Sequence, residues 1–329
     1  MKNDLLIIGR IPPPIGGVTI HTKRLIDILK TEKLNFIFYN IKKFNLFSLI
    51  KNIRDSKITH VHLNNSLILF IISIICKYFN SKLIITIHGN LNDSFWSKSF
   101  MLNFIYNFLL NKALKSCSIP IVLNKKSLIL AKKINVNSIL ITSFIPPANE
   151  KPLNDDLINK IKKFKNSGKL FCSNAFDFKY DKNNIEVYGI MSLINFFNKN
   201  SKLKFILSDP SNNYSNYFKT KNIKIGKNIF IINRPHSFFN ILKYSDVFIR
   251  NTSIDGDSLS IREALFLKLN VIASDSVERP PGVINFKFND DDSFKEFIKY
   301  ILNKKNNFEK IRIKNGALEL LKLYKKTLN

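Results

Sequence analysis

Two carboxylates near the C-terminal end of this 329-residue chain, Asp255 and Glu263, lie on either side of a turn that feeds a helix. Val247 to Ile249 before the turn is a short apolar run of β type, and Val271 to Ala273 beyond the helix is another. Gly256 supplies a residue free to take φ > 0. Asp257 or Ser258 can then cap a helix whose Leu259, Ile261, Ala264, Leu265 and Leu267 fall largely on one side. A loop entering a helix N-terminus presents unpaired N–H groups and a partial positive charge, which together suit a phosphate. Two readings are open from spacing. In one the carboxylates flank an anion site, with Glu263 accepting hydrogen bonds from a ribose diol and Asp255 facing the sugar end of the same ligand. In the other they are an acidic cap region followed by one solvated glutamate.

Further candidates sit where apolar runs end. Gly16 and Gly17 follow three prolines that delay helix formation, so the backbone is bare where the first helix begins. That bareness lets a diphosphate or a sugar approach closely, or is simply a turn. His88 ends an apolar strand before Gly89; it is either a packing residue or an imidazole directed to a cleft, able to bond a sugar hydroxyl. His60 and His62 alternate with Val61 on one strand face, with no third ligand in sequence reach, so no metal is expected. Arg279-Pro-Pro-Gly282 follows the strand ending at Asp275 and is either a surface turn or an arm toward an anion.

The run Arg250-Asn-Thr-Ser-Ile-Asp-Gly-Asp-Ser-Leu-Ser-Ile-Arg-Glu-Ala-Leu265 resembles the second-domain signature of glycosyltransferase family 4, the retaining GT-B enzymes, in which two acids are separated by seven residues. Leu5 to His21 is similar to that family's first strand, glycine loop and first helix. Leu83-Ile-Ile-Thr-Ile-His88-Gly89 is similar to its strand-end histidine. Leu170 to Ala175 with Val187-Tyr-Gly189 resembles the opening strand of its second domain. The resemblance implies an α/β GT-B fold of two Rossmann-like, doubly wound domains facing a cleft, residues 1–148 on the acceptor side and 149–329 binding the nucleotide sugar, with the last helix packing back on the first domain. It implies transfer of a sugar, from a donor taken to be UDP-linked, to a saccharide or lipid-linked acceptor with retention, in bacterial surface polysaccharide synthesis. Catalytic roles fall to Asp255 and His88. Donor binding falls to Glu263, Gly16, Gly17, Arg250, Gly256, Asp257, Ser258, Lys179 and Arg279, with no cofactor and no metal. The chain departs from the pattern twice. The first acid is Asp rather than Glu, and no Arg and Lys pair aligns after the opening strand of the second domain, where Lys179 and Lys182 lie nearby. These departures keep a catalytically silent nucleotide-sugar-binding partner as the alternative.

Positioning these residues requires strand and helix alternation in both halves. Strands are expected at 4–9, 35–39, 58–64, 82–88, 119–123 and 138–142, then at 169–174, 203–207, 229–232, 246–250, 270–274 and 283–286. Helices fill the gaps, the first at 17–31 and the last two at 291–303 and 307–326, with a linker over 144–152. In such sheets ligands bind beyond the carboxyl ends of strands. Leu67 to Cys76 is too short to span a bilayer and reads as a buried helix. Residues 94–117, with Phe95, Trp96, Phe100, Met101, Phe104, Ile105, Tyr106, Phe108, Leu109 and Leu110, have little polar face. They form either a core helix or an interfacial one docked on anionic lipid, with Lys98, Lys112 and Lys115 at the ends.

Composition excludes a disordered chain, since 45% of residues are hydrophobic and 29 are Phe. The net charge of +28 directs attention to anionic partners. The lysines are spread along the chain and travel with Asn, Ile and Phe, the mix an AT-rich coding sequence yields. No nucleic-acid motif or local basic stripe accompanies them, so nucleic acid is not expected as a partner. Cys76, Cys117 and Cys172 are far apart, without disulfide or metal spacing. Leu5 to Ile8 reads as a strand rather than a signal segment. The expected location is cytoplasmic, soluble or peripheral at the inner face of the plasma membrane.

Overall fold

Apolar runs that are buried on both faces favour parallel sheets, because every second residue on either side finds a helix to pack against. The computed structural model describes residues 2–89, 91, 100–148, 150–166, 168–288, 290–303 and 313–329. Its twelve strands form two six-stranded sheets in which every ladder is parallel. The chain divides into two compact units, residues 1–148 with 314–329, and residues 149–313.

In the first unit the strands are β1 (Asn3–Gly9), β2 (Phe36–Asn40), β3 (Ser56–Val61), β4 (Lys82–Ile87), β5 (Ile119–Val122) and β6 (Ile139–Leu140), in the order β2-β1-β3-β4-β5-β6. Their connections carry α1 (Gly17–Leu29), α2 (Leu46–Arg54), α3 (Ser66–Tyr78), α4 (Phe100–Ser116) and α5 (Lys125–Ile134). Alternation along β1 sends Leu6 and Ile8 into the core under α2, α3 and α4, and Leu5 and Ile7 into the opposite core. Asparagine starts several of these helices: Asn45, Asn65 and Asn124 cap α2, α3 and α5 by accepting a bond from the backbone N–H three residues on. Each such cap is worth about 1 kcal/mol and sets where the strand-to-helix loop ends.

The second unit holds α6 (Asp155–Lys165), β7 (Leu170–Asn174), α7 (Ile190–Lys199), β8 (Lys204–Ser208), α8 (Asn213–Thr220), β9 (Ile229–Ile232), α9 (Phe238–Leu242), β10 (Val247–Arg250), α10 (Leu259–Phe266), β11 (Asn270–Ser274), β12 (Val283–Phe286) and α11 (Asp291–Asn303). Its sheet order is β12-β11-β10-β7-β8-β9. Phe171, Leu207 and Ile249 pack on one face, and Cys172, Ile206 and Phe248 on the other. The final helix, α12 (Gly316–Leu328), packs Ala317, Leu320, Leu321 and Tyr324 onto the first unit's sheet.

Several expectations change in detail. The strand expected over 138–142 is only Ile139–Leu140, and the one expected over 58–64 stops at Val61. The last helix begins at Gly316 among the described residues, and 304–312 lie outside them. The helix expected to be buried at Leu67 to Cys76 buries one side only: Leu69, Ile72 and Cys76 are in the core, while Leu67, Ile71 and Ile74 face out. In α4, Tyr106 and Leu110 are core residues, yet Met101, Phe104, Ile105 and Phe108 are exposed. Phe95, Trp96 and Lys98 lie outside the described residues. Among the described residues no helix is long and apolar enough to cross a membrane.

Candidate functional site

Both sheets reverse their order of growth once, and each reversal opens a crevice at the strands' carboxyl ends where a ligand finds loops on two sides. In the second unit it lies between β7 and β10, because the chain builds β8 and β9 on one side and returns to lay β10 on the other. Arg250 ends β10 there, and its Nη1 donates to the carbonyl and side-chain oxygens of Asn174, the last residue of β7, at 3.4 Å each.

The loop after β10 is built around Asp255. Its Oδ2 accepts from Arg250 Nε at 2.9 Å, from Arg279 Nη1 at 3.2 Å and from the Thr252 hydroxyl at 3.3 Å. Its Oδ1 accepts from the amide of Gly256 at 3.1 Å. Burial raises the Asp255 carboxyl, but the two guanidinium groups outweigh it and hold the acid below its ordinary range. Arg279 does not extend as a surface turn. Its Nε donates to Ser274 O at 2.9 Å and its Nη2 to Thr252 Oγ1 at 2.9 Å, which ties the loops after β10 and β11 together. Arg250 also lies over the Tyr188 ring, 5.2 Å from its centroid.

Gly189 sits beneath this loop with φ +54, and a Cβ there would stand 2.5 Å from both the carbonyl oxygen and Nδ2 of Asn251. No side chain fits in that gap, so the loop's seat on the first turn of α7 depends on glycine. Gly256, by contrast, does not take the left-handed conformation expected of it; the left-handed glycines are Gly189 and Gly282. The turn closes instead through the carboxylate of Asp255 on the amide of Gly256.

Of the two expected caps, Ser258 takes the role on α10, accepting from Ile261 N at 3.5 Å. Asp257 is instead salt-bridged to Arg262 at 2.8 Å. Glu263 is 4% exposed, so it is not a solvated surface glutamate. Lys179 and Lys182 are exposed. The structure thus brings Arg250, Asp255, Gly256, Ser258 and Arg279 into one connected loop system with Glu263 on the helix that follows. Tyr188, Asn174, Thr252 and Ser274 belong to the same system and were not among the site residues expected from the sequence, although Asn174, Tyr188 and Thr252 lie inside the runs that carry the resemblance.

The first unit has its reversal between β1 and β3. Gly16 is the N-cap of α1, extended at φ −159, and its amide donates to Thr19 Oγ1 at 3.1 Å. A Cβ on Gly17 would meet nothing within 4 Å. His62 directly follows β3 and His88 directly follows β4, and His62 Nδ1 lies 3.0 Å from His88 Nε2. His21 on α1 packs against both rings, with centroids at 5.1 and 5.0 Å, and holds Ser143 O by Nδ1 at 2.7 Å. His60 bonds Tyr324 OH at 2.6 Å and Thr86 Oγ1 at 2.7 Å.

Burial, reinforced by the neighbouring imidazoles, pushes His60 down to about 3 and His62 and His88 well below the usual imidazole range. These rings are neutral at pH 7. The fold does not add a third ligand to His60 and His62; it gathers a different trio, with ring nitrogens of His21, His62 and His88 within 4.8 Å of one another. The hydrogen bond between His62 and His88 orients the His88 ring.

No protein-family model and no curated protein matches the sequence. Solved structures do match in fold. HepE of Anabaena in complex with UDP-glucose aligns at a TM-score of 0.68 with 10% identity, over 98% of this chain and 97% of that one. Sucrose-phosphate synthase of Thermosynechococcus elongatus aligns at 0.70 with 14% identity, over 98% of each chain. UDP-GlcNAc 2-epimerase of Methanocaldococcus jannaschii aligns at 0.59 with 13% identity, over 99% of this chain and all of that one. Two parallel sheets with alternating helices, in the arrangement shared with these structures, make the fold of this chain GT-B.

Proposed function

We propose that the protein is a glycosyltransferase of the family 4 type. It moves a sugar from a UDP-linked donor to a saccharide or lipid-linked acceptor hydroxyl with retention, in the assembly of bacterial surface polysaccharide. The observation that carries this reading is the loop system at the β7 and β10 reversal, where a buried carboxylate is clamped by two guanidinium groups beside a capped helix that bears a buried glutamate. The neighbours with UDP-sugars in their names support the donor class. The epimerase among them shows that this fold also hosts other chemistry on such sugars, so the acids and their spacing, not the fold, select transfer.

In the proposed mechanism Glu263 receives the ribose diol, and the amide of Ser258 at the start of α10 receives the diphosphate, favoured by the helix dipole, while the Gly256 amide holds the Asp255 carboxylate. The two guanidinium groups exceed the Asp255 carboxylate by one positive charge, which stabilises the negative charge that grows on the leaving diphosphate. Asp255 keeps Arg250 and Arg279 fixed, so no reorganisation is needed as the bond breaks. Lys179, exposed after β7, adds charge from the rim. Gly16 and Gly17 admit the donor phosphates or the acceptor without side-chain obstruction. His88, oriented by His62, offers a neutral imidazole to a sugar hydroxyl.

A second reading follows from the engagement of Asp255 by two arginines and the lack of an aligned Arg and Lys pair: a partner that binds the nucleotide sugar and does not turn it over. Incubating the protein with UDP-sugars and a panel of saccharide and polyprenyl-linked acceptors, with UDP release followed by NMR, separates the two. Release of UDP with an axial anomeric product from an axial donor is expected. Nucleotide binding with no release from any donor would establish the silent partner instead.

A further inference from the structure

Helices α2, α3, α4 and α5 all bury one side in the same core, that of Leu49, Leu69, Ile72, Leu110 and Ala131, and so lie in one layer over one face of the first unit's sheet. Their opposite sides form one outer surface. On α3 that surface is a stripe, Leu67, Ile71, Ile74 and Tyr78, spaced so that each lies about one turn after the last. On the neighbouring α4 it continues with Met101, Phe104 and Phe108, and on α2 it includes Phe47. Phe47 is 85% exposed, Tyr78 80%, Met101 66% and Phe104 64%. Single exposed apolar residues are ordinary, but aligned stripes on packed neighbours mark an interaction surface.

The charge on these helices identifies what covers it. The spans 46–54, 66–78 and 100–116 together carry five Lys and Arg residues and no Asp or Glu. On α4 the two kinds of residue are segregated: Met101, Phe104 and Phe108 occupy the N-terminal half, and Lys112 and Lys115 the C-terminal part, with Lys112 Nζ 5.4 Å from the Phe108 ring. A second copy would set cation against cation, in a chain already at +28. A nucleic acid would leave the phenyl stripe against phosphate. An anionic bilayer satisfies both features, since aromatic and Met side chains enter the headgroup and acyl boundary while lysines reach the lipid phosphates.

We propose that this α2–α3–α4 face docks the protein on anionic phospholipid. The inference goes beyond the donor-site reading and stands independently of it, because none of these residues belongs to that site. The test is co-flotation of the full chain with vesicles of phosphatidylglycerol mixed into phosphatidylcholine, and with phosphatidylcholine alone. Two variants accompany the wild type: Phe47→Ser with Phe104→Ser and Phe108→Ser, and Lys112→Gln with Lys115→Gln.

Wild type should float with the anionic vesicles and only weakly with the neutral ones. The apolar variant should lose roughly tenfold or more in partitioning. The lysine variant should lose a smaller factor that shrinks as salt is raised. All three keep their melting temperatures, because the replaced side chains face solvent. The proposal is overturned if wild type ignores anionic vesicles or if the apolar variant floats like wild type. It is also overturned if light scattering shows wild type dimeric and the apolar variant monomeric, which would assign the face to a second copy.

Discussion

Gly17 is a position at which ligand binding can be separated from folding. A methyl group there meets open space, and alanine in the first turn of a helix is favoured over glycine by up to about 1 kcal/mol. Gly17→Ala should therefore fold at least as stably as wild type. If the bare backbone admits a ligand it should lose activity by tenfold or more, read as turnover beside a melting curve. Wild-type activity would return Gly17 to the role of an ordinary turn. Asp255 behaves in the opposite way, because it is both a proposed site residue and a carboxylate held between two buried guanidinium groups. Asp255→Ala leaves buried charge uncompensated and should destabilise the second unit by roughly 3–5 kcal/mol, measured by denaturant unfolding. Its loss of turnover consequently cannot be read alone, and Asp255→Asn is the better kinetic probe. Residue types and spacing made Asp255, Ser258 and Glu263 legible, because a cap and a helix period are local properties. The histidine cluster was not legible, since His21, His62 and His88 meet only after three strand and helix connections have folded.

At the scale of elements, the strands were readable within a few residues because parallel strands buried on both faces are continuous apolar runs, as in Leu5 to Ile8 and Val247 to Ile249. Their ends were less so: β3 yields to the loop at His62, which the run Val61 to Leu63 does not announce. For α3 and α4 the apolar pattern said which residues are hydrophobic but not whether both sides would be covered. Another coverage question arises at α12, whose first residue, Gly316, donates its amide to Phe144 O at 2.7 Å. A Cβ on it would stand 2.2 Å from Thr142 O. Gly316→Ala should push the start of α12 off the first sheet and lower the stability of that unit by more than about 1 kcal/mol, detectable as faster hydrogen exchange in α12.

For the whole molecule, four histidines gathered at one end of the first unit couple its stability to acidity. His60, His62 and His88 have depressed folded values, so protonation favours the unfolded chain. Their contribution is fully present above the ordinary imidazole value near 6.5 and is lost as pH falls below it, at up to roughly 1.4 kcal/mol per pH unit for each proton taken up. Unfolding midpoints should fall between about pH 6.5 and 5, a window in which carboxylates contribute little, and His60→Gln should flatten that slope by one proton. The central claim, however, concerns the second unit as the holder of a nucleotide diphosphate sugar. Its most direct test is calorimetric titration of UDP, GDP and ADP into wild type and Glu263→Ala at near-physiological salt. The account predicts micromolar binding of UDP in preference to the other two, weakened at least tenfold by Glu263→Ala with the fold intact. No binding of any nucleotide, or equal binding by the variant, would contradict it.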